Sequence, residues 1–152
     1  MKGILDSKEI HNLLLHRYPI LLVDRILEME EGRRIVGLKN FTVNEPYLQG
    51  HFPANPVVPG TVLIESMAQV GAIFVARSDP ATRGSLPYLV GLDRVRFRRP
   101  VVPGDRVIHH LELLRRKKEF WKVKGIAKVD ESVVMEAIVL AVLLPPSPKE
   151  EV

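Results

Sequence analysis

The residues from 61 to 77 form a helical pattern that is apolar on almost every side. Three of its few polar residues, Thr61, Glu65 and Gln69, recur at intervals of four and therefore share one narrow stripe. A helix that is apolar nearly all round is buried in its protein rather than laid on the surface. The pattern therefore predicts a central helix over about 60–77, which the remaining chain must cover.

Short β-rich runs flank this helix in the sequence. Two precede it, at 20–27 and 34–43, with Glu31-Gly32 between them as the turn of a hairpin. Four follow it with short links and predict an antiparallel meander, at 86–98, 105–116, 119–129 and 133–144. In the third of these, apolar or small residues alternate with charged ones, as in a strand with one face on a core and one in water. We therefore predict an α+β fold in which a curved antiparallel sheet of about six strands wraps around the central helix.

The chain of 152 residues has the size of one domain. Asp6, with Glu9 three residues later, is the capping pattern of a short N-terminal helix, predicted over about 7–15. Residues 146–152 are predicted as a flexible C-terminal tail. No repeat or linker divides the sequence, so we predict a single domain over 1–152.

The composition excludes several classes of function. The sequence has no cysteine, which excludes disulfides and thiolate chemistry and suits a reducing compartment. The N-terminus lacks the apolar core of a signal peptide, and the apolar stretches 57–76 and 133–144 are interrupted before reaching the ~20 apolar residues of a membrane span. These features predict a cytoplasmic protein without a membrane segment. Apolar residues still make up 46% of the sequence, which suggests that an oligomer covers part of its surface.

The net charge of +4 is distributed unevenly. Arg94, Arg96 and Arg98 alternate with Val95 and Phe97, so on a strand they form one cationic face. An ordinary solvated face and a docking surface for an acidic protein or nucleic acid both fit this pattern.

A loop over 44–59 precedes the central helix and contains His51. It is longer than most connections, but four of the 12 prolines of the chain lie in it, so we predict a rigid backbone. A rigidly placed histidine suits a general base near neutral pH, although a lone loop histidine can also be incidental. His51 is therefore a candidate base.

Glu65 is the single carboxylate of the central helix. Because burial disfavours the charged form of a carboxyl group, we expect a raised pKa for Glu65, which would make it a proton donor near neutral pH. Pairing with an arginine at an interface is the structural alternative. His51 and Glu65 together are the candidate acid/base pair.

The central helix begins after Pro59-Gly60. A helix N-terminus presents unpaired backbone N–H groups and a favourable dipole, so an oxyanion could be held there. The four other histidines have no metal-ligand spacing with an acidic partner, and we predict no metal. These are His11, His16, His109 and His110.

Three segments in matching order and spacing carry a resemblance to a known family. The first is the run HRYPILLVDR at 16–25, and the third is RRPVVPGD at 98–105. The second, at 50–69, holds Gly50-His51-Phe52-Pro53, Pro59-Gly60 and Glu65. Over nearly the whole chain the sequence resembles the beta-hydroxyacyl-[acyl-carrier-protein] dehydratase family.

This resemblance implies a hot-dog fold, in which a sheet wraps a central helix. It implies dehydration of (3R)-hydroxyacyl thioesters to trans-2-enoyl thioesters in type II fatty acid synthesis, a carbon–oxygen hydro-lyase reaction. The substrate would be carried on the phosphopantetheine arm of acyl carrier protein, with no metal or other cofactor and no nucleic-acid or membrane partner. In this family a homodimer, often assembled further into a hexamer as a trimer of dimers, combines the histidine of one subunit with the glutamate of the other.

Carried over by motif, His51 is the base that takes the alpha proton, and Glu65 is the acid that assists departure of the hydroxyl as water. The backbone N–H of Gly60, with that of Val57 as a secondary contact, would stabilise the developing enolate oxygen.

Several further residues have two open interpretations. Gln69, one turn after Glu65, is expected either to orient its carboxyl group or to pack at a subunit interface. Tyr88 is expected either to gate a tunnel or to be an ordinary strand residue. Four arginines are expected to contact the acidic carrier protein: Arg94, Arg96, Arg98 and Arg99.

Two other function classes stay open at this point. One is a hot-dog acyl thioesterase, which would release a free thiol, and the other is a non-catalytic binder of an acidic partner. Glutamate at 65, where the related dehydratase-isomerase carries aspartate, favours a simple dehydratase. The sequence leaves open the preferred acyl length, the choice between dimer and hexamer, and a role in fatty acid or lipid A synthesis.

Overall fold

The computed structural model describes residues 3–82 and 84–145, so the predicted tail at 146–152 lies outside the described residues. Its helices and strands follow one another as α1 (Ser7–Leu13), β1 (Arg25–Glu30), β2 (Arg34–Asn40), α2 (Gly60–Ser78), β3 (Leu86–Phe97), β4 (Arg106–Lys117), β5 (Phe120–Val129) and β6 (Ser132–Leu144). Two 3₁₀ turns, Pro46–Gln49 and Pro80–Thr82, lie on either side of α2.

A capping box starts α1, as predicted. The Glu9 backbone N–H donates to the Asp6 carboxylate at 3.0 Å, and the Glu9 carboxylate accepts from the Asp6 N–H at 2.8 Å. The helix ends at Leu13, two residues before the predicted boundary, because Leu14 is already extended. Ile10 is its fully buried anchor.

The six strands form one antiparallel sheet in the order β1-β2-β4-β5-β6-β3. The prediction of about six antiparallel strands is confirmed, and β4, β5 and β6 form a meander. The prediction that β3 joins this meander next to β4 is wrong, since β3 pairs with β6 at the opposite edge. Periodicity identifies strands but does not identify their neighbours.

The connection at 98–105 explains this strand order. At its start the Arg98 N–H donates to the Val134 carbonyl of β6, and at its end the Gly104 N–H donates to the Phe41 carbonyl just after β2, both at 2.8 Å. Midway, the Val101 carbonyl accepts from Val58, just before α2. The chain therefore crosses from one side of the sheet to the other past the start of α2.

The first strand also differs from its prediction. The hairpin of β1 and β2 is confirmed, with Arg25 opposite Leu38 and Glu30 opposite Arg34. Residues 20–24, predicted as the beginning of β1, are not strand. Their backbone is instead held by side chains of α2, which compete with sheet pairing for the same polar groups.

The central helix α2 is confirmed within a residue and packs on the sheet. Met67, Ile73 and Phe74 are fully buried, and the strand face below them alternates as predicted in β5. A side chain at Gly125 of β5 would overlap Met67, so glycine allows this close approach. By length and composition α2 could also cross a membrane, but 56% of its most apolar window is buried inside the fold, as in a core helix.

One stripe of α2 stays incompletely covered. Ile64, Ala68 and Ala72 are only partly buried although they are apolar. Together with exposed apolar residues on edge strand β3, such as Leu89 and Val90, they leave an apolar surface on the single chain.

Candidate active site

His51 is held in the loop before α2 by its own backbone neighbours. Its Nδ1 lies 2.7 Å from the Val57 carbonyl oxygen, and the Val57 N–H donates to the His51 carbonyl at 2.9 Å. Because a carbonyl only accepts, Nδ1 is the protonated nitrogen, and Nε2 of a neutral ring carries the free lone pair. The ring also stacks on Phe52 with centroids 4.1 Å apart. The loop therefore presents Nε2 of His51 as a proton acceptor.

An ion pair ties the start of this loop to β2. Lys39, which is almost fully buried, places its Nζ 2.8 Å from the Glu45 carboxylate and 3.7 Å from Asp24. The Tyr47 hydroxyl is packed beside this cluster, and burial, followed by the nearby Glu45, raises its pKa. These contacts restrain the loop from one end, while Val58 restrains it from the other through Val101.

The start of α2 lies in the same cleft as His51. This cleft, of about 480 Å³, is lined among others by His51, Val57, Gly60 and Arg99. Within the described residues, no side chain caps the N-terminus of α2, where Pro59 is the N-cap residue. The first backbone N–H groups of the helix are therefore free to donate. Since the Val57 N–H is already engaged with His51, Gly60 is the available donor of the two residues that sequence reasoning named.

Glu65 lies one turn further along α2 and is half-buried. Its Oε1 accepts from Nε2 of Gln69 at 2.8 Å and lies 3.4 Å from Nε2 of His16. The hydrogen bond from His16 lowers the pKa of Glu65, and the opposing effect of burial is smaller. The expected raised pKa is therefore wrong for the single chain, because sequence periodicity revealed the burial but not the donors that stabilise the carboxylate.

His16 is the residue that sequence reasoning missed. It was considered only as a metal ligand, although it opens the first of the three segments that carry the resemblance. Its Nε2 points to Glu65, while its Nδ1 is buried without a hydrogen-bond partner in the described part of the chain. Its position in that segment was the available signal.

Gln69 joins Glu65 to the segment that carries His16. Its side chain is 1% exposed and makes three hydrogen bonds. The amide donates to Glu65 and to the Ile20 carbonyl at 2.7 Å, and its oxygen accepts from the Leu22 N–H at 2.8 Å. The orienting geometry considered for Gln69 is thus present in the structure.

A second buried network reinforces the same segment. Ser66 donates to the Leu22 carbonyl at 2.8 Å, and its hydroxyl lies 2.9 Å from Nε2 of His109. His109 is completely buried, and burial, with His110 as a smaller cause, lowers its pKa to about 3. His109 is therefore neutral and donates through Nε2 to Ser66.

The single chain does not bring His51 and Glu65 into one cavity. Glu65 lines a separate cavity of about 100 Å³ together with His16, Gln69 and Tyr88. That volume lies below the ~300 Å³ at which small-molecule pockets begin. Each half of the candidate acid/base pair therefore borders a different, incomplete site.

The remaining candidate residues fall in three places. Tyr88 is about half exposed and lines the Glu65 cavity. Arg94, Arg96 and Arg98 line one groove on the other face of the sheet, although a β-bulge after Asp93 interrupts their alternation. Nε of Arg98 is 2.9 Å from the Glu136 carboxylate, so its charge is partly engaged. Arg99 instead borders the His51 cleft.

Over residues 3–82 and 84–145, no three histidine, cysteine or acidic side chains come together in a group that would hold a metal ion.

Comparison with known proteins relates this arrangement to a family. Residues 14–138 match the family model of the FabA-like domain. The chain is 51% identical over 138 residues to the 3-hydroxyacyl-[acyl-carrier-protein] dehydratase FabZ of Hydrogenobaculum sp., covering 90% of this chain and 93% of that protein. It is 48% identical over 138 residues to the enzyme of the same name from Magnetococcus marinus, covering 90% of each.

Solved structures with little sequence identity share the architecture. The dehydratase heterocomplex ApeI:P from Xenorhabdus doucetiae aligns with a TM-score of 0.80 at 17% identity, covering 90% of this chain and 91% of that one. The protein PH1136 from Pyrococcus horikoshii aligns with a TM-score of 0.62 at 17% identity, covering 88% and 92%. With the family match, these likenesses confirm the hot-dog fold.

Proposed function

The chain belongs to the FabA-like family, and from this premise we infer that it is a 3-hydroxyacyl-[acyl-carrier-protein] dehydratase of fatty acid biosynthesis. The observation that carries this conclusion is identity near one half, over about nine-tenths of both chains, to enzymes with that activity. Dehydratases of this kind need neither a metal nor a small-molecule cofactor. The reaction must therefore be performed by side chains and backbone groups of the protein.

We propose that His51 and Glu65 carry out the two proton transfers. Nε2 of His51 takes the alpha proton of a (3R)-hydroxyacyl thioester, and the Val57 carbonyl on Nδ1 stabilises the imidazolium that forms. The electron pair moves through an enolate whose oxygen is stabilised by the Gly60 N–H at the start of α2. The 3-hydroxyl then leaves as water with the proton of Glu65, which gives the trans-2-enoyl thioester.

The proposed acid role requires a protonated Glu65. The open stripe of α2 beside Glu65 supports a change of environment when a second subunit covers it. Such covering removes water from the carboxyl group and favours its neutral form. Gln69 and His16 hold the Glu65 carboxyl group toward the cavity.

We propose that the working unit is a homodimer that completes each site with residues from both subunits. Three observations support it: the separate cavities of His51 and Glu65, the apolar stripe of α2, and the position of β3 at the sheet edge. An exposed edge strand with apolar side chains is suited to pairing with another chain. Further assembly of three dimers into a hexamer belongs to the same proposal.

The substrate in this proposal arrives on the phosphopantetheine arm of acyl carrier protein. The groove of Arg94, Arg96 and Arg98 suits an acidic partner, and Arg99 lies closer to the His51 cleft. Tyr88 is proposed to gate entry to the Glu65 cavity, which is supported by its half-exposed position in the cavity lining. The same proposal makes 1–152 a single cytoplasmic domain, without nucleic-acid or membrane partners, that supplies fatty acid or lipid A synthesis.

Purified protein tests this function directly. With 3-hydroxyacyl carrier protein and no added metal or nucleotide, we expect an enoyl thioester, followed by its ultraviolet absorbance. His51→Ala and Glu65→Gln should abolish turnover without changing the oligomer, whereas His11→Ala, at an exposed histidine of α1, should retain it. Full activity in either site variant would refute the assigned roles, and release of free thiol in a thiol-trapping assay would indicate a thioesterase instead.

A further inference from the structure

The cavity that begins at Glu65 follows one stripe of α2. Glu65, Ala68, Ala72 and Val75 line it in succession at helical spacing. Val75 lies ten positions after Glu65, so the stripe is about 15 Å long at 1.5 Å per residue. The Glu65 end is polar through His16 and Gln69, and the lining beyond is apolar.

Trp121, which lies on the sheet, forms a wall of the apolar region of this cavity. It lies on β5 directly opposite Ala141 of β6, and both residues line the cavity. Its side chain is 3% exposed, so the indole is a buried wall and not a surface flap.

Contacts from several elements hold the indole in place. The ring of Phe74 meets it edge-on, with centroids 6.3 Å apart. The guanidinium of Arg116 lies 4.5 Å from the centroid of the indole, and Arg116 is itself paired with Asp79 at the end of α2. The wall is therefore tied to the helix along which the cavity runs.

We propose that Trp121 is the end stop that sets the longest acyl chain this enzyme accepts, with C3 of the substrate at Glu65 and the rest of the chain lying along α2. This inference rests on the proposed function. A fully extended backbone advances at most about 3.6 Å per residue, or about 1.2 Å per bond. A stripe of about 15 Å has the length of about a dozen bonds beyond C3. In the proposed dimer, which would complete the cavity of about 100 Å³, the upper limit therefore falls at about fifteen carbons.

Turnover with carrier-bound 3-hydroxyacyl substrates of graded length, from butanoyl to palmitoyl, tests the end stop. Trp121→Leu should move the upper length limit to longer chains, and each newly accommodated methylene should raise relative kcat/KM about fourfold. Ala72→Val, which adds bulk midway along the stripe, should move the limit to shorter chains. Phe120→Ala, at the exposed neighbour of Trp121, should leave the profile unchanged.

Trp121→Leu could also fail by unfolding, so a milder variant is needed. Arg116→Ala keeps the indole but removes its tie to Asp79, and it should shift the profile in the same direction by a smaller factor. Unchanged length profiles in folded Trp121→Leu and Arg116→Ala would overturn the end stop while leaving the dehydratase intact. Absence of turnover at every length in the wild type would instead overturn the proposed function.

A second readout is independent of turnover, because Trp121 is the single tryptophan of the chain. Titration with saturated acyl carrier proteins of graded length should change its fluorescence only above a threshold length. Ala72→Val should abolish this response to chains that reach Trp121 in the wild type. Equal responses at all lengths, or none at any length in a protein that turns over substrate, would overturn the proposal.

Discussion

Gln69 donates a hydrogen bond to Glu65 across one turn of α2, with 2.8 Å between Nε2 and Oε1. The same buried amide binds the backbone at Ile20 and Leu22, on the segment that also carries His16. Gln69 thus orients Glu65, the proposed acid, and also holds the segment whose His16 contacts Glu65. This coupling makes the site sensitive to residues that the proposed proton transfers do not include.

Replacing Gln69 by leucine should cost both stability and activity. The Leu22 N–H would be left buried without a partner and the part-buried Ile20 carbonyl would lose its donor, which should lower the free energy of unfolding by roughly 2–4 kcal/mol. Urea unfolding measures this loss. Thr61→Val, at an exposed position of the same stripe, is the matched control and should stay within about 0.5 kcal/mol of wild type. A Gln69→Leu variant as stable as this control would show that the hydrogen bonds of Gln69 to this segment do not stabilise the fold.

Replacing His16 by alanine should raise the pKa of Glu65, because the hydrogen bond from His16 is the largest cause of its depression. In the single chain the folded pKa of Glu65 is depressed below its unfolded value, so its contribution to stability is present above the unfolded pKa and is lost as pH falls through the folded pKa. In His16→Ala that contribution should be smaller and should disappear at a higher pH. Infrared titration of the carboxyl group, assigned by its absence in Glu65→Gln, measures the shift, with His11→Ala as the control. An unchanged titration would show that His16 does not act on Glu65.

Mixing two inactive variants should restore activity if the site spans two subunits. A heterodimer of His51→Ala with Glu65→Gln has one site with both residues intact and one with neither. Random exchange of equal amounts should then recover up to about a quarter of wild-type turnover in a two-fold symmetric dimer. Each variant alone, carried through the same unfolding and refolding, is the control. Recovery at the background level, despite verified heterodimers, would place both residues of a site in one chain.

Gly60→Ala should reduce turnover more than stability. The new methyl group would come within 2.7 Å of the outer edge of the Phe97 ring, an exposed side chain that can move aside. A displacement of the helix start or of the ring near the oxyanion position should lower kcat on the order of 10–100-fold. Steady-state kinetics and thermal melting separate the two effects. In the double variant with Phe97→Ala the clash is gone, so restoration of full activity there would assign the loss to the ring and not to the backbone donor.

His109→Gln should weaken the dependence of stability on acid. His109 has a folded pKa of about 3, well below that of an unfolded histidine. On acidification the unfolded chain therefore binds a proton at a higher pH than the folded chain does. Stability from this group is complete above the unfolded pKa and is lost progressively as pH falls toward 3. Glutamine can still donate to Ser66 but does not titrate. Urea unfolding from neutral to acid pH should show a shallower decline than wild type, and an identical decline would exclude His109 as its source.

Much of the fold was predictable from local patterns in the sequence. The central helix, the capping box at Asp6 and the alternation of β5 were predicted within a residue or two, because each depends on side chains close together in sequence. The position of β3 was not predictable in this way. It depends on a connection that crosses the sheet through hydrogen bonds to residues far along the chain.

The candidate site likewise has features that neighbouring residues determine and features that only distant contacts determine. His51, Gly60 and Glu65 were identified from residue type, spacing and resemblance. His16 and the sign of the pKa shift of Glu65 were missed, because the hydrogen bond between them joins residues nearly fifty positions apart. Burial is visible in a hydrophobic pattern, whereas the donors that offset it are not.

The sequence by itself determined that a buried helix carries one carboxylate and follows a stiff loop with one histidine, since both are properties of neighbouring residues. Only the tertiary structure decided that these two groups border different cavities and that Gln69 ties Glu65 to a distant segment. It also decided that a tryptophan on the sheet lies along the cavity beside α2. Each of these relationships is set by which elements the fold brings into contact, and periodicity carries no information about that choice.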